Sequence, residues 1–299
     1  MTEPMHWGAE QLWQQLLPEL PGLSVEVVER SSSTNTALLE RARVVGRPGA
    51  DSDAVLVHHS VESAAFGRRA ADVQPCLLVA EHQTGGRGRQ GRHWQSAPGA
   101  SLTFSLALPL AAQDWSGLSL VVGLALADAL DPPQAGAAPR IGLKWPNDLW
   151  LCDAGGGGRK LGGILIETVS AASRRLAVIG VGLNVKPMPT TDTSSGFACV
   201  QELDASADPP GVLARVALPL VRALRRFERE GFAAFAAGYA RRDLLLGRPV
   251  RTTLAEVPEG IARGIDPRGA LLVETGAGQQ VPVGSGEVSV RLDAGDKQG

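Results

Sequence analysis

Gly85-Gly86-Arg87-Gly88-Arg89-Gln90-Gly91-Arg92-His93-Trp94 comes shortly after the apolar run Cys76-Leu77-Leu78-Val79-Ala80. Its first eight residues hold four glycines and three arginines. No core element has this composition, because glycine supplies no side chain to bury and adds backbone freedom. The arginines form a dense set of bidentate anion donors. Ordering such a loop costs conformational entropy. The return that balances this is the binding of something anionic, held where a strand gives way to a loop.

The rest of the composition says what kind of anion to expect. The chain has 299 residues, enough for one large domain and a small one. Hydrophobic residues make up 44%, so a real core is expected. The formal net charge is -2, from 29 basic and 31 acidic residues. A near-neutral chain argues against coating nucleic acid or a membrane surface. The arginine cluster is therefore local, which favours a small ligand. Cys76, Cys152 and Cys199 are widely spaced and form no CxxC pair, and their odd count gives no disulfide framework. A reducing cytoplasm fits. No signal peptide is visible at the N-terminus, and no apolar run is long enough to span a membrane.

Outward from the loop, the pattern is mixed. Trp7–Leu20 reads as an amphipathic helix stopped by Pro21-Gly22. Leu23–Val28 alternates as a strand, Ser31 to Asn35 is a polar turn able to cap a helix, and the helix is expected over Ala37–Val45. Ala54–His58 reads as a strand and Glu62–Ala71 as a helix. Ser101–Leu108 is a strand and Leu118–Leu130 a helix closed by Asp131-Pro132-Pro133. Arg140–Trp145, Lys160–Val169 and Arg175–Val185 read as strands, with Gly155–Gly158 as a hairpin tip and Lys186–Gly196 as a mobile loop. Asp208-Pro209-Pro210 opens a long helix whose stripe is Leu213, Val216, Leu220, Leu224 and Phe227. Five short alternating runs between Gly247 and Leu292 suggest a small barrel, with a boundary near Leu245.

Polar clusters interrupt these strands at Ser33-Thr34-Asn35, Gln83–Trp94, Lys144–Asp148 and Lys160–Gly163, and Gly180–Asn184 ends another strand. Converging arginines, a lysine and an aspartate suit a nucleotide. Cations hold phosphates, and a carboxylate brings Mg²⁺. No Ser-His-acid set or thiolate site points to covalent catalysis. Taken alone, the residues indicate a nucleotide-using enzyme.

Five motifs in order make the reading more specific. Gly86–Arg92 resembles the GRGRxGR loop of biotin protein ligases, and Lys144-Trp145-Pro146-Asn147-Asp148 resembles that family's KWPND. Lys160-Leu161-Gly162-Gly163-Ile164-Leu165-Ile166-Glu167 is similar to KLGGILxE, Ser33–Asn35 to its STN turn, and Gly180–Asn184 to its GxGxN strand end. The resemblance implies an α+β fold. Its parts are a mixed sheet with flanking helices, like that of class II aminoacyl-tRNA synthetases and lipoate ligases, over 1–245, and an SH3-like C-terminal barrel over 246–299.

It also implies ATP and biotin as substrates, with Mg²⁺. Biotinyl-5′-AMP forms first, and biotin then passes to a lysine of a biotin carboxyl carrier protein. By motif position, Ser33, Thr34, Asn35 and Gln83 would hold the ureido end. Gly86, Arg87, Gly88 and Arg89 would close over biotin and adenylate as a lid, ordered when filled, and Arg92 would position the loop or a phosphate. Lys160 would stabilise charge in both steps, next to Gly163. Asn147 and Asp148 would serve the nucleotide and metal side, with Asp148 also orienting or deprotonating the incoming amine. Asn184 would contact the adenylate, Trp94 would form pocket wall, and Lys186–Gly196 would cover the adenine.

The family's repressor-type members carry a winged helix-turn-helix ahead of the catalytic strand. Only about 25 residues precede it here, so DNA binding is not expected, and a membrane partner is not expected either. A sheet-edge homodimer is suggested by analogy alone. The segment Arg47–Asp72 is longer than the usual spacer. A lipoate–protein ligase, and a nucleic-acid-binding protein using the arginine loop and barrel, are the competing readings.

Overall fold

A computed structural model describes residues 5–45, 74–154, 157–171, 174–190, 195–285 and 290–292. The readings for Ala54–His58 and Glu62–Ala71, and the centres of the Gly155–Gly158 and Lys186–Gly196 loops, lie outside these residues.

The apolar runs assemble into one seven-stranded mixed sheet. Its strands are β1 (Ser24–Ser31), β2 (Cys76–Gln83), β3 (Ser101–Pro109), β4 (Ile141–Lys144), β5 (Asp148–Cys152), β6 (Gly158–Ala171) and β7 (Arg174–Asn184). They lie in the order β1-β2-β3-β7-β6-β5-β4. Only β1 and β2 pair in parallel, and every other neighbouring pair is antiparallel.

Helices cover both faces. Helix α3 (Leu118–Leu130) is apolar almost all round because it lies between the sheet and α4 (Pro209–Glu230). Asp208 caps α4, its Oδ1 accepting from Gly211 N at 2.8 Å. The expected stripe, Leu213, Val216, Leu220, Leu224 and Phe227, is buried. The arginines of α4 pair with acids: Arg215 with Asp204, Arg222 with Glu19, Arg225 with Glu228 and Arg226 with Glu230. That basic face is thus charge-balanced.

Two boundaries differ from the sequence reading. Helix α1 (Ala9–Leu16) is shorter than Trp7–Leu20, with turns over its last residues. Helix α2 (Thr34–Val45) begins three residues before Ala37. Ser33 takes the cap position, its Oγ accepting from Thr36 N at 3.4 Å and its carbonyl from Ala37 N at 2.9 Å. Thr34 and Asn35 are thereby drawn into the first turn, where backbone N–H groups still need partners.

The C-terminal strands β8 (Pro249–Thr252), β9 (Glu259–Ile265), β10 (Leu271–Glu274), β11 (Gln280–Val283) and β12 (Val290–Leu292) form an antiparallel sheet ordered β11-β10-β9-β8-β12. Its inner residues Val250, Ala262, Leu271 and Val283 join the same apolar cluster as the main sheet. The junction is built on Arg242, which is 4% exposed. Its guanidinium donates to Asp128 Oδ1 at 2.8 Å, Asp131 Oδ2 at 2.8 Å and Ile141 O at 2.9 Å, and also to Asp131 O. Leu143 N donates to Arg242 O at 2.7 Å and Leu244 N to Leu143 O at 3.0 Å, so this segment covers the β4 edge.

Next to it, burial pushes the Asp243 carboxyl up to about 6, against the pull of the Leu245 and Leu246 backbone N–H groups. Its Oδ2 and the hydroxyl of buried Tyr239 are both without a hydrogen-bond partner among the described residues.

Replacing Arg242 with leucine should cost about 3 kcal/mol, because it removes the buried guanidinium and leaves the half-buried Asp131 carboxylate and the Ile141 carbonyl without their donor. The expected fall in Tm is on the order of 10 °C, and a variant melting within about 2 °C of the parent would remove the junction from the stabilising contacts. Asp243 gives a pH signature. Its folded carboxyl holds a proton between about pH 4 and 6 that the unfolded chain has released, so its contribution is full below about pH 4 and is lost as pH rises through about 6. Asp243→Asn should therefore gain stability relative to the parent by up to about 3 kcal/mol between pH 4 and 7.5, read from paired melting curves.

Candidate active site

The side of the sheet opposite α3 carries the candidate site. Register sets Ser105 beside Gly180, Thr103 beside Gly182 and Ser101 beside Asn184, and Gly163 lies between Gly182 and Asp148. The absent side chains matter at two of these glycines. A Cβ at Gly180 would collide with Asn35 Oδ1, and one at Gly182 with the Trp94 indole. Those close approaches let α2 and the arginine–glycine loop lie on the sheet.

Lys160 reaches this face through an irregularity in β6. Leu149 pairs with Gly162 but Trp150 pairs with Lys160, leaving Leu161 as an extra residue. Without the bulge, Lys160 and Gly163 would point to opposite faces, since side chains alternate along a strand. With it, Leu161 is buried in the core and the Lys160 ammonium sits 2.9 Å from Asp148 Oδ1. Lys160 Nζ also lies over the Trp94 ring, 5.9 Å from its centroid.

A chain of hydrogen bonds forms the other end of the floor. Thr34 N donates to Gln83 Oε1 at 2.7 Å, which leaves the Thr34 hydroxyl proton for Ser105. Thr34 Oγ1 and Ser105 Oγ lie 2.7 Å apart, and Ser105 Oγ donates to Asn35 Oδ1 at 2.6 Å. Asn35 Nδ2 donates to Leu165 O and Glu167 Oε2, each at 3.1 Å. Ser33, Thr34, Asn35 and Gln83 are all buried, so this end is neutral and rigid.

The loop above the floor is a small hairpin. Arg87 and His93 form an antiparallel bridge, Trp94 N donates to Gly86 O at 2.8 Å and Gly88 N to Arg92 O at 2.7 Å. Its tip turns at Gln90 and Gly91, with φ of 56° and 70°. Arg89 is half-buried and donates to Ser285 O from the C-terminal region. Burial lowers its pKa, Asp148 pulls it back up, and Arg92 lowers it again. An anion entering here would relieve both the burial and the crowding of cations.

The cavity enclosed by these parts measures about 880 Å³. Of the residues singled out from the sequence, Ser33, Thr34, Asn35, Gln83, Arg87, Gly88, Arg89, Arg92, Trp94, Asn147, Asp148, Lys160, Gly163 and Asn184 line it. Gly86 does not; it is packed against the Trp94 backbone. Arg87 lines the cavity and also donates to Glu167 Oε1 at 3.0 Å and Thr36 Oγ1 at 3.2 Å. Asn147 and Asn184 shape the wall. Asn147 Nδ2 donates to Ile164 O at 2.7 Å, and Asn184 Nδ2 to Ala198 O at 3.0 Å and Lys160 O at 3.2 Å.

Lys144, Trp150, Arg248 and Val290 also line the cavity. Lys144 Nζ donates to Val290 O at 2.9 Å and lies 5.3 Å from the centre of the Trp150 ring. Lys144 stood within a recognised motif, whereas nothing local in sequence marks Arg248 or Val290 as wall residues.

The comparisons agree with this architecture. A model of the biotin/lipoate A/B protein ligase family matches residues 70–184, and one of the biotin protein ligase C terminal domain matches residues 245–291. The chain is 34% identical over 286 residues to the biotin–[acetyl-CoA-carboxylase] ligase of Mycobacterium tuberculosis, covering 94% of this chain and 91% of that one. It is 34% identical over 284 residues to the bifunctional ligase/repressor BirA of Escherichia coli, covering 93% and 77%. Among solved structures, the biotin protein ligase from Aquifex aeolicus in complex with biotin and ATP aligns with a TM-score of 0.66 at 25% identity, covering 90% of this chain and 98% of that chain. With its sheet, cavity and C-terminal strands accounted for, the chain belongs to the biotin protein ligase family.

Proposed function

We propose that the protein is an ATP-dependent biotin–protein ligase that forms biotinyl-5′-AMP and transfers biotin to a lysine of a biotin carboxyl carrier protein. The observation that carries this is the polarity of one cavity. A neutral, hydrogen-bonding end at Thr34, Gln83 and Asn35 leads to a cationic end at Lys160 and Arg89. Such a cavity suits a ligand with a polar uncharged head and an anionic tail. The matched C-terminal family model favours biotin over lipoate.

In the first step the biotin carboxylate attacks the α-phosphorus of ATP and pyrophosphate leaves. Two anions must meet, and Lys160 and Arg89 offset their repulsion while the cavity fixes their orientation. In the second step the acceptor amine attacks the acyl carbon and AMP leaves. Asp148, 2.9 Å from Lys160 Nζ, would orient the amine and take its proton. Ser33 belongs to the ureido end, and Gly88, Arg92 and Trp94 to the loop that covers the adenylate. Asn147 and Asn184 form the nucleotide wall.

Mg²⁺ would be held by Asp148 together with phosphate oxygens and water. The described residues contain no cluster of three or more carboxylates, histidines or cysteines able to hold a metal ion by themselves. A single carboxylate plus substrate phosphates is an ordinary Mg²⁺ donor set, and the ion would add positive charge at the phosphates.

The domain boundary in this reading falls near Leu245, between the junction at Arg242 and the C-terminal sheet. The setting is a cytoplasm. Cys76, Cys152 and Cys199 are free thiols, and burial raises the pKa of Cys152 and Cys199. Among the described residues no helix is long and apolar enough to cross a membrane.

Incubation with biotin, Mg-ATP and a carboxyl carrier domain should add the mass of biotinyl to the carrier lysine. No mass gain, together with no biotin-dependent pyrophosphate release, would sink the proposal. Lys160→Ala should slow adenylate formation by about a hundredfold or more, with little change in Tm. Full adenylation by that variant would remove Lys160 from its assigned role.

A further inference from the structure

Glu167 has no role in the chemistry above, yet its carboxylate joins two parts of the site. Oε2 accepts from Asn35 Nδ2 at 3.1 Å, and Oε1 accepts from Arg87 at 3.0 Å. From Asn35 the bonds continue through the Ser105 and Thr34 hydroxyls, and the Thr34 N–H completes the link to Gln83. An unbroken polar chain therefore runs from the cavity floor to the arginine–glycine loop. Glu167 lies seven residues along β6 from Lys160, on the order of 20 Å away, so it does not touch the reacting atoms.

As an isolated ion pair, Arg87–Glu167 would count for little. The side chains are 47% and 23% exposed, and water screens such pairs. What distinguishes it is its partners. Both groups facing the carboxylate are donors, the Asn35 amide and the Arg87 guanidinium. A glutamine offers one acceptor and one donor, so it cannot satisfy both. An aspartate is one methylene shorter and cannot span both. The position therefore needs a glutamate by geometry as well as by charge.

We infer that Glu167 is a positioning residue. It latches the Gly85–Trp94 loop to the pocket floor through Arg87, and so couples closure of the loop to the arrangement of Asn35. Loop closure and floor order then stabilise each other, and whatever orders Asn35 favours the closed loop. The inference rests on reading the cavity as the biotin and adenylate site, but the latch is a physical contact that can be tested without catalysis.

Two readouts test it in Glu167→Gln, Arg87→Ala and the double variant. The first is limited trypsin cleavage after Arg89 and Arg92 in the full chain without ligand. The second is the dissociation rate of biotinyl-AMP, with the biotin KM and the kcat of adenylation beside it. Glu167→Gln should be cleaved about tenfold faster in the loop and should release biotinyl-AMP about tenfold faster. The biotin KM should rise while kcat at saturating biotin stays within about threefold, and Tm should be nearly unchanged. The double variant should be no worse than Arg87→Ala.

Parent-like cleavage and release by Glu167→Gln, or additive losses in the double variant, would overturn the latch. If the parent protein forms no adenylate, the ligase reading fails and the trypsin comparison alone decides the latch.

Discussion

The Lys160–Asp148 ion pair is the contact around which the site is arranged. Its 2.9 Å separation exists because a single extra residue, Leu161, turns Lys160 onto the same face of the sheet as Gly163 and Asp148. The bulge serves two surfaces at once. It sends Leu161 into the apolar core and Lys160 into the cavity. Both charges are partly shielded from water, so they attract each other more strongly than exposed groups would, and Lys160 keeps a fixed position from which to meet a bound anion. Around this pair the sheet is stripped of side chains where other parts must approach closely.

The polar floor has the opposite character. Thr34, Asn35, Gln83 and Ser105 are buried, and they are hydrogen-bonded to one another before any ligand enters. A buried network of this kind is costly if incomplete and rigid if complete. The early start of α2 is part of the same arrangement. The N–H of Thr34 finds Gln83, 49 residues away at the end of β2, and becomes an anchor for the floor. A rigid neutral end and a concentrated cationic end in one cavity give orientation without requiring large rearrangement of the sheet.

The C-terminal strands contribute to the cavity as well as to the core. Val290 O receives Lys144 Nζ, Ser285 O receives Arg89, and Gly269 O receives the indole N–H of the fully buried Trp145. Arg242 closes the junction from the other side with its buried guanidinium. The two sheets share one apolar cluster, so a change in how they pack would alter the position of groups around the site.

Much of this was legible in the chain. Strand periodicity, the Leu118–Leu130 helix, the capped helix after Asp208 and the five short C-terminal strands follow from local apolar spacing and turn residues. The motif residues that line the cavity were marked by polar clusters interrupting apolar strands. Those features are local, and local propensity and patterning decide them. Pairings across the chain had no such mark. The Arg87–Glu167 contact spans 80 residues, and the wall formed by Arg248, just before β8, and Val290, in β12, comes from the C-terminal region. By itself the sequence determined which elements form and which residues carry charge or hydrogen-bonding groups. Only the tertiary structure decided that Arg87 turns to Glu167, that Leu161 bulges to aim Lys160, and that Gly180 and Gly182 make room for Asn35 and Trp94. The reason is that register and sheet order, which no short stretch encodes, set the distances on which those contacts depend.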